Sequence, residues 1–449
     1  MTVDLDAIFK AYDIRGTVPD QLDATTTRAI GSAFARFAKA PSVLIAHDMR
    51  ESGPELAAAF AEGVRREGAD VVHIGLASTD MIYFAAGRLD SPGAMLTASH
   101  NPAAYNGIKL CLAGAAPVGV DSGLTEIKQT TAQLLADGDS RPLTGKESSV
   151  DLLDDFVAHV HSFIDVGALR QMKVVADTAN GMGGLIVPRV FEQLPIDLEM
   201  LYPELDGTFP NHPADPIQPE NQRDLRARVA ATRADVGLAF DGDADRVFLV
   251  DEQGRGLSGS TTTAMLAVRI LDKNPGAKII YNLICSKAVP EVIREHGGEP
   301  IRTRVGHSFI KQVMAETGAV FGGEHSAHYY FRDNFRADSG IIATMFVLEL
   351  MSITGKPLSE LRLPLERYAD SGEINTHVAD PAAVIERVAQ HYGTAQQDRL
   401  DGLTVDFGEW WFNLRPSNTE PLLRLNLEAA TRDECDTYVA EVLALVTGG

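Results

Sequence analysis

Strand and helix patterns alternate along the first two-thirds of the chain, and this alternation restarts twice. In the first stretch, the apolar runs Ser42–Ala46 and Gly93–Ala98 flank a helical pattern over Pro54–Gly68. Strands separated by helices of this length form βαβ units, which favour a mainly parallel sheet. The pattern restarts at Asp151–Phe163 and again after Gly259. Each restart predicts a further α/β domain of related architecture.

The C-terminal part follows a different pattern, because its strands are mostly joined without helices between them. The predicted strands are Glu373–Val378, Leu403–Phe407, Trp410–Leu414 and Leu422–Leu427. Helical patterns cover Pro381–His391 and Arg432–Val446. This arrangement is typical of an antiparallel sheet with helices on one face.

Polar and glycine-rich breaks divide the chain into four predicted domains. Their bounds are residues 1–148, 149–254, 255–366 and 367–449. The predicted fold class is α/β, with three related α/β domains of mixed, mainly parallel sheets followed by an α+β domain with an antiparallel sheet. The 449 residues alone suggest about three domains of roughly 150 residues each, so the pattern predicts one more than the length does.

Composition and charge exclude several classes of protein. Hydrophobic residues make up 45% of the chain and charged residues 23%, which excludes a disordered, collagenous or coiled-coil protein. The formal net charge of −22 argues against nucleic acid or an anionic membrane surface as the main partner. A small anionic ligand stays possible where positive side chains gather locally.

Three further features indicate a cytoplasmic protein without a membrane span. The longest nearly apolar run, Gly340–Leu348, is about half of the ~20 residues that a membrane helix needs. Asp4 and Asp6 stand where a signal peptide would be basic and then apolar. The three dispersed cysteines do not form a disulfide or metal-site pattern, and we expect reduced, mostly buried thiols.

The segment Asp241-Gly-Asp-Ala-Asp-Arg246 carries three carboxylates at alternate positions between two apolar strand patterns. On an extended backbone this spacing points all three carboxylates the same way, and a cation would relieve their repulsion. Hard oxygen ligands favour Mg²⁺ or Ca²⁺. An EF-hand calcium loop is excluded, because Arg246 occupies its glycine position and the flanks are strands. A solvated acidic turn is the alternative interpretation.

The segment Thr97-Ala-Ser-His-Asn-Pro102 ends a predicted strand in a turn that exposes Ser99. Adjacent Ser99 and His100 should point apart on an extended backbone, and no GxSxG elbow is present. The pattern therefore favours a serine that carries phosphate beside a metal over a hydrolase nucleophile. A strand-end turn with capping hydrogen bonds is the alternative.

Two more polar loops could bind a sugar phosphate. In Gly322-Gly-Glu-His-Ser-Ala-His328, Glu and Ser can bind vicinal hydroxyls and His328 can shuttle a proton. In Arg415-Pro-Ser-Asn-Thr-Glu-Pro421, an arginine fork and neutral donors form a candidate phosphate cradle. Either loop could instead be a polar cap or a connecting turn. Arg15, in the N-terminal segment Phe9-Lys-Ala-Tyr-Asp-Ile-Arg-Gly16, is a candidate phosphate contact.

Together these motifs resemble the α-D-phosphohexomutase family, and in particular its bacterial phosphomannomutase/phosphoglucomutase enzymes. The resemblance runs from Phe9 to Pro421, with the motifs in the family's order. It implies four domains and a serine, Ser99, that carries phosphate in the resting enzyme. The implied Mg²⁺ ligands are Ser99, through a phosphoserine oxygen, and Asp241, Asp243 and Asp245.

The resemblance also implies roles for the remaining motif residues. The residues implied to line the phosphotransfer site are Tyr12, Arg15, His100, Lys109 and Arg246. The residues implied to bind the sugar are Glu324, Ser326 and His328. The residues implied to contact the phosphate or other parts of the ligand are Lys287, His307, Arg415, Ser417, Asn418 and Thr419. His328, Lys109 and His100 stay open as candidates for the general base.

The implied reaction interconverts mannose 6-phosphate and mannose 1-phosphate, and also glucose phosphates, through a hexose 1,6-bisphosphate that serves as intermediate and activator. The implied partners are small hexose phosphates, and the protein is expected to be a monomer or homodimer. One departure concerns the sugar loop, where His325 and Ala327 replace the Met and Gly of the common pattern GEMSGH. The alternatives are a phosphoglucosamine mutase, a phosphatase, or a non-catalytic sugar-phosphate-binding protein.

Overall fold

The computed structural model describes residues 3–138, 141–416 and 422–448, and it contains four units in succession. The first unit is built on a seven-stranded sheet of order β1-β5-β4-β2-β3-β7, with β6 paired to β5. Its strands are β1 (Ile14–Thr17), β2 (Ser42–His47), β3 (Asp70–Leu76), β4 (Gly93–Leu96), β5 (Tyr105–Leu112), β6 (Ala116–Pro117) and β7 (Glu147–Ser149). Its helices are α1 (Leu5–Ile8), α2 (Ala24–Ala38), α3 (Gly53–Arg66), α4 (Thr79–Arg88) and α5 (Leu124–Asp137).

The central strands of this first sheet pair in parallel, whereas β5 runs antiparallel to its neighbours. Strands β2, β3, β4 and β7 are parallel, whereas β5 is antiparallel to β1 and β4. The polar stretch after α5 contributes β7, which pairs with β3. As a result, the serine loop that follows β4 emerges at the carboxyl edge of parallel strands, where ligands commonly bind in α/β folds.

The second unit has a four-stranded sheet of order β11-β10-β8-β9, parallel except for β11. Its strands are β8 (Met172–Asp177), β9 (Ile196–Leu201), β10 (Val236–Phe240) and β11 (Val247–Asp251). Its helices are α6 (Leu153–His161), α7 (Gly183–Phe191) and α8 (Arg223–Thr232). Strands β10 and β11 are completely buried, and the acidic segment is the loop that joins them.

The third unit repeats this plan with the sheet order β13-β12-β14-β15, parallel except for β15. Its strands are β12 (Lys278–Asn282), β13 (Glu299–Thr303), β14 (Phe321–Gly323) and β15 (Tyr329–Phe331). Its helices are α9 (Gly259–Lys273), α10 (Ala288–Glu295), α11 (His307–Thr317), α12 (Gly340–Thr354) and α13 (Leu358–Arg362). The Gly-Gly-Glu-His-Ser-Ala-His segment connects β14 to β15.

The fourth unit is an antiparallel sheet of order β16-β20-β19-β18-β17. Its strands are β16 (Ala369–His377), β17 (Gln396–Asp398), β18 (Leu403–Asp406), β19 (Trp411–Pro416) and β20 (Leu422–Ala429), and its helices are α14 (Pro381–His391) and α15 (Arg432–Thr447). The predicted fold class is therefore confirmed, with three mixed, mainly parallel α/β units and an antiparallel fourth.

The apolar core is continuous across the first three units and separate in the fourth. One cluster contains buried residues from all three α/β units, a second fills the other face of the first sheet, and another lies wholly within the fourth unit. Cys111, Cys285 and Cys435 are buried and unbonded, as expected. Within the described residues no single helix could span a membrane; only α12 and Leu358–Leu365 together, bent by 100°, reach the required length and apolarity.

Candidate active site

Ser99 lies two residues beyond Thr97 in the turn after β4, and it is buried with a left-handed backbone (φ 49°). Its amide donates to Thr97 Oγ1 at 3.0 Å, and its hydroxyl donates to Asp241 Oδ2 at 2.8 Å. The expectation that Ser99 and His100 point apart is wrong, since their Oγ and Nδ1 atoms are 3.3 Å apart. The reason is the left-handed turn at Ser99, which removes the extended backbone that the expectation assumed.

The three carboxylates of the acidic loop converge, but they do so through a curled backbone. Ala244 is left-handed (φ 61°), so the loop is not extended as predicted. Asp241, Asp243 and Asp245 are buried, and one oxygen of each lies within 4.8 Å of the others. The loop approaches Ser99 closely at Gly242, where an added Cβ would lie 2.5 Å from the Ser99 carbonyl oxygen.

The carboxylates of this cluster differ in how far nearby cations offset the effect of burial on their pKa. Burial raises the pKa of Asp241 well above its usual value, although Arg246 acts in the opposite direction. Burial also acts to raise the pKa of Asp243, but the ammonium of Lys109 outweighs it and the net pKa is lowered. Lys109 Nζ donates to Asp243 Oδ2 and Asp245 Oδ2, at 2.7 Å each.

Two carboxylate oxygens in the cluster test whether the site fits a metal ion. Asp243 Oδ1 and Asp245 Oδ1 are buried and have no hydrogen-bond partner within the described parts of the chain. Leaving a buried charged acceptor unsatisfied is costly, and a hard divalent cation would satisfy both oxygens. The donor set therefore fits Mg²⁺, because it consists only of carboxylate oxygens together with the hydroxyl of Ser99.

Cationic and imidazole groups surround the serine hydroxyl. Arg246 Nη2 donates to Asp241 Oδ2 at 2.9 Å and to Ser99 Oγ at 3.4 Å. Burial, and then Arg246, hold the pKa of His100 well below its usual value. A neutral His100 therefore accepts from Arg246 Nη2, 2.6 Å from its Nδ1. Arg15 lies beside this loop and donates to Asn101 Oδ1 at 2.6 Å.

The loop between β14 and β15 brings residues of the third unit to the carboxylate cluster. His328 Nε2 lies 3.8 Å from Asp245 Oδ1, and His328 Nδ1 lies 3.0 Å from Ser326 Oγ. Glu324 is buried, and burial raises the pKa of its carboxyl. Its oxygens accept hydrogen bonds from Asn282 Nδ2, Gly306 N and Tyr330 OH.

His325 has a different orientation from its neighbours in that loop. Its Nδ1 lies 3.1 Å from Ser260 Oγ on α9, and burial lowers the pKa of the ring. The loop therefore directs Ser326 and His328 toward the carboxylate cluster, while position 325 serves to attach the loop to α9.

Of the remaining predicted residues, Tyr12, Arg415 and Lys287 have their described hydrogen bonds to groups other than Ser99 and the carboxylate cluster. Tyr12 OH donates to Val305 O at 3.4 Å, and Arg415 Nη2 donates to Glu373 Oε2 at 2.7 Å. Lys287 Nζ is bonded to Asp406 Oδ1 at 2.7 Å and to Gly408 O, so it joins the third and fourth units. His307 begins α11, but its side chain is outside the described atoms. Ser417, Asn418 and Thr419 lie outside the described residues.

Three residues that support the site were missed in the sequence. Asp48 and Arg50 follow β2, and Arg50 donates to the Ser99 carbonyl at 2.8 Å. Thr79, at the start of α4, donates to Asp243 Oδ2 at 2.5 Å. The local sequence signal for Asp48 and Arg50 is their charge directly after a buried strand. That position marks the carboxyl edge of the sheet, but it does not show which residues the two side chains contact.

Comparison with known proteins agrees with the whole architecture. The chain matches the phosphoglucomutase/phosphomannomutase alpha/beta/alpha domains I, II and III and the C-terminal domain over residues 6–136, 154–255, 258–368 and 373–445. A Xanthomonas campestris protein named phosphohexose mutases is 40% identical over 98% of this chain and 99% of its own length. The phosphomannomutase of Escherichia coli K12 is 40% identical, over 94% of each chain.

A solved structure shows the same arrangement of units. The crystal structure of a phosphoglucomutase/phosphomannomutase family protein from Burkholderia thailandensis superposes with a TM-score of 0.89 at 32% identity, covering 100% of this chain and 99% of that one. The chain therefore belongs to the phosphoglucomutase/phosphomannomutase family and is a phosphohexomutase, an isomerase that transfers phosphate within a sugar phosphate.

Proposed function

We propose that the chain is a phosphomannomutase that interconverts mannose 6-phosphate and mannose 1-phosphate, and also accepts glucose phosphates. The observation that carries this proposal is the contact of the Ser99 hydroxyl with Asp241, 2.8 Å away, inside a buried three-carboxylate cluster. Relatives near 40% identity that are named phosphomannomutase support the choice of sugar.

The proposed cycle contains two phosphoryl transfers. In the first, the Oγ–P bond of phosphorylated Ser99 breaks as a hydroxyl oxygen of the sugar monophosphate bonds to phosphorus, which produces a 1,6-bisphosphohexose. After that intermediate reorients, its other phosphate returns to Ser99 and the isomerised monophosphate leaves. Mg²⁺ held by Asp241, Asp243 and Asp245 would neutralise charge on the transferring phosphoryl group.

We propose a matching role for the cationic side chains around Ser99. Arg246 and Lys109 lie within the cluster, and their charges would stabilise the negative charge that phosphoryl oxygens gather in the transfer. We propose that Arg15 and His100 contact the same group. Phosphoryl transfer depends on this positioning and charge stabilisation more than on covalent chemistry by the protein.

Among the three candidates, we propose His328 as the general base. Burial acts to lower the pKa of Lys109, but Asp243 and Asp245 outweigh it and raise that pKa well above its usual value, so the ammonium holds its proton. We do not propose His100, because its Nδ1 already accepts a hydrogen bond from Arg246. His328 has a side chain 22% exposed beside Asp245, so it can accept the proton of the attacking hydroxyl and release it later.

The third and fourth units supply the rest of the proposed substrate site. Glu324 and Ser326 bind sugar hydroxyls. The residues proposed to bind the non-reacting phosphate are His307, Arg415, Ser417, Asn418 and Thr419, and Tyr12 of the first unit is proposed to line the phosphotransfer site. We propose no phosphate contact for Lys287 in this conformation, because Asp406 already pairs with its ammonium.

The direct experiment is intact mass spectrometry followed by an assay. The protein is incubated with mannose 1-phosphate, Mg²⁺ and a trace of hexose 1,6-bisphosphate. We expect one phosphate on Ser99 and formation of mannose 6-phosphate, with turnover reduced by several decades in Ser99→Ala. Inorganic phosphate released faster than isomerised sugar would instead indicate a phosphatase, and binding without turnover a non-catalytic protein.

Two further experiments test the proposed role of Mg²⁺ and the proposed choice of sugar phosphate. A chelator should abolish turnover and Mg²⁺ should restore it, so full activity in metal-free buffer would contradict the proposed metal role. Glucosamine phosphate is assayed in parallel with mannose and glucose phosphates. A clear preference for glucosamine phosphate would replace the phosphomannomutase proposal by a phosphoglucosamine mutase.

A further inference from the structure

Arg50 places its entire guanidinium inside the serine loop. The residue is 2% exposed, and each of its five side-chain N–H groups has an acceptor. Nη1 donates to the carbonyls of Pro102 and Tyr105 at 2.9 and 2.8 Å, and Nη2 donates to those of Ser99 and Asn101 at 2.8 and 2.7 Å. One cation therefore binds four carbonyl groups between Ser99 and Tyr105, the first residue of β5.

Asp48 completes this arrangement on the other side of Ser99. Its Oδ2 accepts from Arg50 Nε at 3.3 Å and from Thr97 Oγ1 at 2.6 Å. Thr97 Oγ1 in turn accepts from the Ser99 amide at 3.0 Å. The N–H and the C=O of Ser99 are thus both connected to the same buried ion pair.

The hydrogen bonds to the N–H and the C=O of Ser99 matter because the backbone of this residue adopts the left-handed conformation. A non-glycine residue in this region is strained, and it persists only where its surroundings enforce the conformation. Gly242 also packs against the Ser99 carbonyl oxygen, which would lie 2.5 Å from a Cβ at that position. Arg50 also lies over the Phe209 ring of the second unit, 5.2 Å from its centroid.

We propose that Asp48, Arg50 and Thr97 form a positioning unit that keeps Ser99 in its left-handed conformation and so sets the rate of phosphoryl transfer to and from its hydroxyl. None of the three contacts Ser99 Oγ or the carboxylate cluster through a hydrogen bond that the structure describes. They should therefore affect transfer without affecting affinity for the sugar phosphate. This inference rests on the proposed function, since it requires Ser99 to be the group that carries phosphate.

The first test uses Thr97, because two variants separate its hydroxyl from its volume. Thr97→Val keeps the shape but removes the bridge from Asp48 to the Ser99 amide, whereas Thr97→Ser keeps the bridge. The readout is single-turnover phosphorylation of Ser99 by hexose 1,6-bisphosphate, followed by mass spectrometry. We expect roughly a hundredfold slower phosphorylation in Thr97→Val, since a misplacement near 1 Å costs about that factor, and a nearly normal rate in Thr97→Ser.

The second test uses Arg50→Lys with Arg362→Lys as its matched control. Arg362 is also a buried arginine with several carboxylate and carbonyl acceptors, but it holds the turn after β11 rather than the serine loop. We expect Arg50→Lys to lower kcat and the phosphorylation rate by roughly a hundredfold or more, with the KM for mannose 1-phosphate within twofold of wild type. Arg362→Lys should keep most of its activity.

The outcomes separate the inference from the proposed function. If wild type does not become phosphorylated on Ser99, the proposed function fails. If wild type is phosphorylated and both Thr97→Val and Arg50→Lys react at the wild-type rate, only the positioning role is wrong. Equal losses in Thr97→Ser and Thr97→Val, or a raised KM with unchanged kcat, would also overturn it. If Arg50→Lys does not fold, the two Thr97 variants decide the question.

Discussion

At the scale of single residues, the site depends on how closely two backbones approach. Gly242, between two of the three aspartates, lies against the Ser99 carbonyl, although the two residues belong to different units. The absence of a side chain at this position lets the acidic loop bring Asp241 within hydrogen-bond distance of the serine hydroxyl. A larger residue would separate the Ser99 hydroxyl from the carboxylate cluster.

We therefore expect Gly242→Ala to lower kcat by about a hundredfold or more, because its Cβ must displace one loop by a large fraction of an ångström. The melting temperature should change much less than the activity. Gly119→Ala is the matched control, since its Cβ would have ordinary contacts of 3.4–3.5 Å. Steady-state kinetics with calorimetry on both variants check this prediction, and normal turnover in Gly242→Ala would contradict it.

At the scale of elements, the first turn of α4 connects the first unit to the acidic loop. Thr79 donates its amide to the Asp243 carbonyl at 3.0 Å and its hydroxyl to Asp243 Oδ2 at 2.5 Å. Asp80 accepts from Ser339 Oγ, at the start of α12, at 2.6 Å. The beginning of one helix thus orients a proposed metal ligand and contacts the third unit.

Thr79→Val should weaken activation by Mg²⁺ by roughly ten- to a hundredfold, as is usual when a hydrogen bond to a metal ligand is lost. Thr79→Ser, which keeps the hydroxyl, should behave like wild type. The measurement is the Mg²⁺ concentration for half-maximal activity in chelator-treated protein. An unchanged value in Thr79→Val would mean that Asp243 is oriented by Lys109 alone.

Elements with clear end signals were predictable from the sequence. The helix Pro381–His391 has the predicted ends, because Asp380 caps its first turn ahead of a proline. Helix α12 was treated only as an apolar run. It is buried on nearly every side, so its sequence has no polar face to show a helical period.

The site was predictable where a motif carries its own chemistry and unpredictable where a contact spans the fold. The acidic triad and Ser99 were identified from local spacing, although both loops curl where an extended backbone was expected. Thr79 lies 164 positions from Asp243, and Arg50 lies 49 from Ser99. No local pattern connects such pairs, because the packing of two units brings Thr79 to Asp243, and the pairing of β2 with β4 inside the first unit brings Arg50 to Ser99.

At the scale of the molecule, His159 lies where the three α/β units meet. Its ring contacts Phe84 of the first unit at 4.9 Å and Phe335 of the third at 6.0 Å between centroids. Its Nε2 lies 2.9 Å from Asn334 Oδ1, and burial lowers the pKa of the imidazole. The packed junction therefore contains a neutral histidine.

This histidine should make the folded state sensitive to mild acid. Because the folded pKa is lowered, its contribution to stability is present above the unfolded value of about 6.5 and is lost as pH falls through the folded pKa. His159→Phe should keep the aromatic packing and show a smaller drop in melting temperature between pH 7.5 and 5.5. Calorimetry at several pH values tests this, and equal drops in the two proteins would contradict it.

Because the fourth unit has a separate apolar core, it could be replaced by the corresponding unit of a relative. Its apolar cluster is closed within itself, and its junction with the third unit includes polar pairs such as Lys287–Asp406 and Arg302–Asp398. Partly exposed pairs of this kind usually contribute about 1 kcal/mol or less each. The fourth unit could therefore be exchanged between relatives as a separate module, which would alter its part of the proposed substrate site while the packed junction of the other three units stays intact.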